Sequence, residues 1–170
     1  HHLFSIPAEA IEVVIHPQSI VHSMVQYVDG STLAQLANPD MRVPIAHCLN
    51  YPIRTHLDVK HISVKDIAML EFQEPDLKRF PCLSLAYEAL SVGRSAVIGL
   101  NAINEIVVDE FLNEKIDFSD IAVLIDSALN IFDAPSPNSI QEVIDVDASA
   151  RKCAKQVLMK YQRTEYGVVT

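Results

Sequence analysis

Two hydrophobic periods divide the chain, and the change between them lies near residues 74–76. Before it, short β-branched and apolar runs alternate with turn residues, as in strands, whereas after it apolar residues recur every three or four positions, as in amphipathic helices. The predicted strands are 11–15, 20–28, 32–37 and 68–72, and the predicted helices of the second part are 83–92, 96–113, 119–132 and 139–161. We therefore predict an α+β chain with a small sheet-and-helix domain at residues 1–76, an all-helical bundle at 77–163 and a tail at 164–170.

The pair Asp29-Gly30 predicts a β-hairpin between the second and third strands. A two-residue type I′ turn there would fix the register of the two strands. The predicted partners are Val28 with Ser31, Gln26 with Leu33, Met24 with Gln35, and His22 with Ala37. This register brings Ser19 and His22 beside residues 38–41, ahead of a short predicted helix at 44–51, so polar side chains from two loops are expected at one end of the sheet.

The segment 12–25 carries more polar chemistry than a buried strand needs, including His16, Gln18, Ser19 and His22. A histidine beside an apolar strand is more often a hydrogen-bonded structural residue than a catalyst, and this interpretation is favoured for His16, which precedes a proline. A zinc site would need further ligands at suitable spacing, and the remaining histidines form no such motif. The chain has only four glycines and no glycine-rich phosphate loop, so no nucleotide-binding motif is visible in it.

The net charge of −9 argues against nucleic acid and anionic membrane surfaces as partners, because both favour a basic protein face. A small phosphorylated substrate remains compatible with this charge, since a few residues can bind it locally. No apolar run approaches the roughly 20 residues that a membrane-spanning helix requires. The three cysteines form no paired motif, and we expect them to be small buried residues in a reducing cytoplasm.

Polar residues in the helical part are expected to be structural. Asn101, Asn104 and Glu105 share one face of a predicted helix, where they are expected to hydrogen-bond to a neighbouring element rather than to catalyse. The cationic residues of the last helix are interpreted as a solvated face. These residues are Arg151, Lys152, Lys155 and Lys160.

Several segments, in order along nearly the whole chain, resemble the 1-deoxy-D-xylulose 5-phosphate reductoisomerase family. They are Val14-Ile-His-Pro-Gln-Ser-Ile-Val-His-Ser-Met-Val25, Asp29-Gly-Ser31, Asn38-Pro-Asp-Met-Arg42, Pro44-Ile-Ala-His47, Pro81-Cys-Leu83, Leu100-Asn-Ala-Ile-Asn-Glu-Ile106, Phe118-Ser-Asp-Ile121 and Val146-Asp-Ala148 with Ala150-Arg151. Such an ordered set is far more specific than any single motif. It covers only the carboxyl-terminal portion of the family: the end of the catalytic domain and the helical domain.

The resemblance implies an enzyme that isomerises a sugar phosphate and reduces it with NADPH, giving 2-C-methyl-D-erythritol 4-phosphate for non-mevalonate isoprenoid biosynthesis. A divalent metal, Mg²⁺, Mn²⁺ or Co²⁺, would hold the substrate oxygens. The family's NADPH domain, metal-binding carboxylates and phosphate site are expected upstream of His1, so no cofactor-binding or metal-binding residue is assigned in this chain. The resemblance further implies a cytoplasmic homodimer.

By the same resemblance, His22 matches an active-site histidine that orients the metal or substrate groups, and Ser19, Pro39 and Met41 match residues that line the pocket. Two interpretations of the chain remain. It is either a fragment of the reductoisomerase that is inactive when isolated, or a stand-alone helical dimerisation or interaction module without catalysis.

Overall fold

A computed structural model of the chain describes residues 1–63, 65 and 67–165, so the end of the predicted tail, from residue 166, lies outside the described residues. Contacts divide the chain into two units. We call residues 12–75 the hairpin unit, and residues 1–11 together with the residues from Asp76 onward the helical unit. The first eleven residues thus belong with the helices, whereas the sequence pattern placed them with the strands; the domain division at residues 76 and 77 stays a prediction.

The described elements confirm the predicted α+β class. A single turn of 3₁₀ helix, β1, β2 and α1 come first, and α2 to α5 follow. Their bounds are Ala8–Ala10 for the 3₁₀ turn, Val21–Gln26 for β1, Thr32–Leu36 for β2, Arg42–Asn50 for α1, Pro81–Val92 for α2, Arg94–Leu112 for α3, Asp120–Leu129 for α4 and Ile140–Glu165 for α5. All five predicted helices are present, with ends that differ by a few residues, as is usual for sequence-based boundaries.

The hydrophobic core lies entirely in the helical unit. Every buried apolar side chain of the described residues falls between Leu85 and Leu158, and Ile103, Val107 and Ile125 are the largest that are fully enclosed. Ala150 and Ala154 repeat at four-residue spacing along α5, where their small side chains allow close packing in the core. Full burial of one such aliphatic side chain contributes about 1.5–3 kcal/mol, so the helices hold most of the hydrophobic stabilisation.

Local bonds fix where the last helix begins. The Ser139 hydroxyl accepts a hydrogen bond from the backbone N–H of Glu142 at 3.2 Å, and the Glu142 carboxylate accepts one from the backbone N–H of Asn138 at 2.6 Å. The first bond satisfies an N–H group that the helix start leaves unpaired, and the second holds the residue before the N-cap Ser139, in an arrangement close to a capping box. The predicted loop at residues 133–138 therefore ends where α5 begins.

The predicted hairpin is present, but its predicted turn and register are wrong. Gln26 pairs with Thr32, Val25 with Leu33, and Met24 with Ala34, one residue away from the predicted register. The reason is a three-residue loop: Tyr27 accepts a hydrogen bond from Gly30, and only Gly30, with φ of 84°, is left-handed. The Asp29 carboxylate accepts bonds from both the backbone N–H and the hydroxyl of Ser31. This Asx-type bonding accompanies a type I turn followed by a left-handed glycine, not type I′.

The strands predicted at 11–15 and 68–72 are also wrong. One isolated antiparallel bridge forms, between Ile15 and Gln73, with N–O distances of 2.8 and 2.9 Å. The pairing stops because a turn begins at His16, directly after Ile15, and Pro75 lies two residues beyond Gln73. Proline has no N–H to donate to a ladder.

The cysteines are not buried as expected: Cys48 and Cys82 are exposed, Cys153 is half-buried, and all three are free thiols. Cys48 lies on α1 of the hairpin unit, in which no described residue is buried, and Cys82 lies in the first turn of α2. Among the described residues, no helix combines the length and the apolar character that membrane crossing demands.

Gly93 joins α2 to α3 with φ of 128° and ψ of −169°, a backbone conformation essentially restricted to glycine. An added Cβ would meet no atom within 4 Å, so backbone strain alone opposes substitution.

We predict that Gly93→Ala lowers the free energy of unfolding by about 1–3 kcal/mol. Urea unfolding followed by circular dichroism measures this change. Asn104→Ala, at an exposed position of α3, is the control and should change it by less than about 0.5 kcal/mol; equal effects of the two substitutions would contradict the prediction.

Candidate functional site

A polar clamp holds the segment that carries the candidate chemistry. The His16 ring donates a hydrogen bond from Nδ1 to the Glu71 carbonyl oxygen at 2.7 Å, and its ring stacks on Phe72 with centroids 4.7 Å apart. The Gln18 amide donates to the Glu71 carboxylate at 3.1 Å and accepts from the Glu71 backbone N–H at 3.2 Å. With the Ile15–Gln73 bridge, these contacts define what we call the clamp. It ties residues 15–18 to residues 71–73.

The clamp ends in a tight turn at Ser19. The Ser19 N–H donates to the His16 carbonyl oxygen at 3.1 Å, and Pro17, at the second position of this turn, presets its own φ. Ser19 has φ of 50°, which is uncommon for a residue other than glycine and costs of the order of 1–3 kcal/mol. Such strain persists only where surrounding contacts enforce it, and the clamp lies immediately before this residue.

His22 follows on an irregular part of β1. The register shifts between Val21 and Ser23, so His22 is the extra residue of a β-bulge, a feature that redirects a side chain relative to a regular strand. His22 Nε2 lies 3.2 Å from the Ser19 carbonyl oxygen. Because a carbonyl only accepts, Nε2 carries the proton, and in the neutral ring Nδ1 remains an acceptor.

The second loop, at residues 38–41, is fixed by its own hydrogen bonds. The Asp40 carboxylate receives a two-point bond from the Arg42 guanidinium, with distances from 2.6 to 3.1 Å. This bond lowers the pKa of the Asp40 carboxyl below its usual value and raises the pKa of Arg42. The Asn38 side-chain amide donates to the Lys60 carbonyl oxygen, which ties this loop to the irregular segment around Lys60.

The two loops meet at a cavity of about 530 Å³, which we call the first cavity. Ser19, His22, Pro39 and Met41 all line it, so the structure brings together the four residues singled out in the sequence. These four residues converge even though the predicted register is wrong, because the β-bulge shifts the strand pairing by one more residue. The Ala37 N–H donates to the Ile20 carbonyl, whereas the predicted partner of Ala37 was His22. A shift of two residues keeps each side chain on its predicted face of the hairpin. The roles assigned to these four residues stay predictions.

His47 and Arg54 also line the first cavity, and sequence reasoning missed both. His47 lies on α1, and its ring approaches Tyr51 edge-on with centroids 5.7 Å apart. The sequence offered one signal for His47: it belongs to the short predicted helix that comes directly after residues 38–41, so part of that helix is expected to lie near this loop. Arg54 lies in an irregular segment where no period indicates which side chains face inward.

His16 belongs to the clamp and does not line the first cavity. With Nδ1 donating to Glu71, the neutral ring has its lone pair on Nε2, which is buried without a hydrogen-bond partner among the described residues. The favoured structural role of His16 agrees with this geometry. Anywhere in the described residues 1–63, 65 and 67–165, no three histidine, cysteine, aspartate or glutamate side chains gather as a metal site requires.

The polar face of α3 bonds to α5. Arg151 donates to Asp147 on its own helix and to Glu105 on α3, each at 2.7 Å, and Asn101 donates to Glu105 at 3.0 Å. The bond from Arg151 lowers the pKa of the Glu105 carboxyl, while Asp147 and then Glu105 raise the pKa of Arg151. Arg151 therefore belongs to a bridge between two helices, and its interpretation as part of a solvated face is wrong.

Comparison with known proteins gives a consistent family. The family model described as the DXP reductoisomerase C-terminal domain matches residues 36–153. The 1-deoxy-D-xylulose 5-phosphate reductoisomerase of Paraburkholderia phytofirmans is 48% identical over 172 residues, which cover 99% of this chain and 43% of the relative. The Methylobacillus flagellatus protein of the same name is 52% identical over 151 residues, or 89% and 38% of the two chains. The chain thus spans about two fifths of the length of the relatives it matches.

Solved structures agree. The 1-deoxy-D-xylulose 5-phosphate reductoisomerase from Zymomonas mobilis in complex with NADPH superposes with a TM-score of 0.86 at 41% identity, covering 92% of this chain and 42% of that one. DOX-P reductoisomerase in complex with NADPH, fosmidomycin and magnesium gives a TM-score of 0.89 at 40% identity, with 95% and 42% covered.

The clamp itself can be tested through Gln18. We predict that Gln18→Ala, which removes both bonds to Glu71, speeds amide hydrogen exchange at the non-proline residues of 15–19 by roughly fivefold to a hundredfold, because two net hydrogen bonds of about 0.5–1.5 kcal/mol each are lost. Gln26→Ala, a glutamine of β1 with no side-chain hydrogen bond among the described residues, is the matched control. Unchanged exchange in Gln18→Ala, or an equal increase in the control, would show that the clamp does not hold this segment.

Proposed function

The chain belongs to the DXP reductoisomerase family, and we propose that it is the carboxyl-terminal portion of an enzyme that converts 1-deoxy-D-xylulose 5-phosphate and NADPH into 2-C-methyl-D-erythritol 4-phosphate and NADP⁺. The observation that carries the proposal is the family match across residues 36–153, in a chain 48% identical to a named reductoisomerase. The gathering of Ser19, His22, Pro39 and Met41 around one cavity supports it.

NADPH and a divalent metal, Mg²⁺, Mn²⁺ or Co²⁺, are the proposed cofactors. When bound, NADPH supplies the hydride and the metal stabilises negative charge on the substrate oxygens. The described residues gather no metal-ligand group, so they do not by themselves fit the metal, which would depend on ligands outside them. This chain would instead supply a wall of the site.

His22 is the proposed positioning residue of that wall. Its Nε2–H bond to the Ser19 carbonyl fixes the ring orientation and leaves Nδ1 to accept a hydrogen bond from a substrate group or a metal-bound ligand. Pro39 and Met41 offer apolar surface, and the Met41 side chain is 70% exposed, so it is available to pack on a planar or apolar part of a ligand. Ser19 contributes its carbonyl to His22 and lies on the rim of the same cavity.

We further propose a cytoplasmic homodimer. The hairpin unit exposes large apolar side chains such as Val28, Leu33 and Ile53, with exposed fractions of 109%, 62% and 70%. Apolar surface of this kind is usually covered by another part of the protein or by a second subunit. The net charge of −9 gives no support to nucleic acid or membrane partners.

A second candidate is a stand-alone helical interaction module without catalysis. It is favoured by one observation: all buried apolar side chains of the described residues lie in the helical unit, which therefore has the core of an independent domain. The two candidates differ in whether catalysis is found in the protein encoded by the complete reading frame.

The first test compares that complete protein with the isolated chain. We predict that the complete protein oxidises NADPH in the presence of 1-deoxy-D-xylulose 5-phosphate and Mn²⁺, whereas the isolated chain does not, since one wall cannot bind both cofactors. Absorbance of NADPH follows the reaction, and product is identified by mass spectrometry. Turnover by the isolated chain would refute the proposed division of the site, and absence of turnover by the complete protein would refute the function.

The second test concerns His22. We predict that His22→Gln in the complete protein lowers kcat about 10- to 100-fold, the range typical when a residue that orients metal or substrate groups is replaced, while the unfolding temperature changes little. His2→Gln, at an exposed histidine that does not line the first cavity, is the matched control. Unchanged kinetics in His22→Gln would contradict the proposed role.

A further inference from the structure

A second cavity, of about 650 Å³, shares a wall with the first. Pro39, Asp40, His47 and Arg54 line both cavities. Most residues that line only the second cavity come from the segment 55–62, which follows α1. The two cavities are therefore neighbours within the hairpin unit, and a group bound in one lies close to a group bound in the other.

The second cavity concentrates positive charge in an otherwise acidic chain. Of 13 lysines and arginines, three line it, together with three of the seven histidines, whereas only one of the 22 acidic residues does. The basic lining residues are Arg42, Arg54, Lys60, His47, His56 and His61. In a chain of net charge −9, this distribution makes the cavity a local attractor for anions.

The single acidic lining residue does not neutralise this charge. The Asp40 carboxylate is engaged by the guanidinium of Arg42. Among the residues that the structure describes, neither Arg54 nor Lys60 has a carboxylate within 4.0 Å. Two cations therefore line the cavity without an anionic partner there. Because both charges line one cavity without a carboxylate partner, an anion bound in that cavity would be stabilised.

Two further features of the second cavity bear on anion binding: a hydrogen bond that fixes one wall and a histidine ring on another. The bond from the Asn38 amide to the Lys60 carbonyl ties the basic segment to the end of the hairpin. On the shared wall, His47 Nδ1 is buried without a hydrogen-bond partner in the described residues. A buried lone pair costs less than a buried unpaired N–H, so the ring proton of neutral His47 is placed on Nε2, which makes that nitrogen a donor.

From this set of groups we infer that the second cavity binds the phosphate or diphosphate group of a phosphorylated small molecule. A guanidinium provides paired N–H donors that match two phosphate oxygens, an ammonium adds a compact charge, and imidazole N–H groups complete the donor set. The inference rests on the proposed function for the identity of that molecule, because the sugar phosphate and NADPH both carry phosphate groups. The binding of a phosphate group is independent of turnover.

Isothermal titration of the complete protein with inorganic pyrophosphate and with inorganic phosphate, at one fixed ionic strength, tests the inference. We predict that Arg54→Gln weakens pyrophosphate binding by about tenfold or more, as expected for loss of a charge-assisted hydrogen bond. Lys60→Gln should weaken it in the same direction. Arg79→Gln, the same substitution at an exposed arginine of the helical unit that does not line the cavity, should leave it unchanged.

Repeating the titration with saturating NADPH, and separately with saturating sugar phosphate, identifies the source of the phosphate group. Competition by either ligand supports the inference and assigns the group to that ligand, and binding that neither ligand displaces supports a separate phosphorylated effector. No pyrophosphate binding by the folded wild-type protein, or equal weakening by Arg54→Gln and Arg79→Gln, would overturn it. An inactive protein that still binds pyrophosphate through Arg54 would contradict only the proposed function.

Discussion

The clamp between residues 15–18 and 71–73 is the constraint on which the hairpin unit depends. No described residue of this unit is buried, so its order cannot come from a hydrophobic core. Instead, one histidine ring and one glutamine amide join segments that are more than 50 residues apart in sequence, both by bonding to Glu71. Each such bond contributes only about 0.5–1.5 kcal/mol net, so the anchor depends on several hydrogen bonds that act together at Glu71. The turn at Ser19 and the bulge at His22, two residues that line the first cavity, come directly after this anchor in the chain.

The helical unit is stabilised in a different way. Its core of aliphatic and alanine side chains packs α3, α4 and α5 together, and the polar bridge from Arg151 to Glu105 adds a defined contact between α3 and α5. The two units thus divide the tasks in the chain. The helical unit has the stabilisation, and the hairpin unit has the candidate chemistry on loops that a few polar contacts hold in place.

Much of this arrangement could be predicted from the sequence, because period and turn residues are local signals. Helices were found through their apolar spacing, and the hairpin through Asp29-Gly30. Its register was not, since the bond from Ser31 to the Asp29 side chain decides between two turn types that share the same sequence signal. The clamp was missed because it depends on side chains rather than on a period. The hairpin prediction brought Ser19 and His22 beside residues 38–41, and the family resemblance singled out Pro39 and Met41 there, whereas His47 and Arg54 required the three-dimensional structure.

We propose that the hairpin unit forms one wall of a reductoisomerase active site, presented by Ser19, His22 and Met41. A crystal structure of the complete protein with NADPH, magnesium and fosmidomycin bound tests it most directly. We predict that atoms of the bound ligands lie within contact distance, about 4 Å, of at least His22 and Met41, with the His22 ring still bonded to the Ser19 carbonyl. Ligands bound with no contact to the first cavity would contradict it.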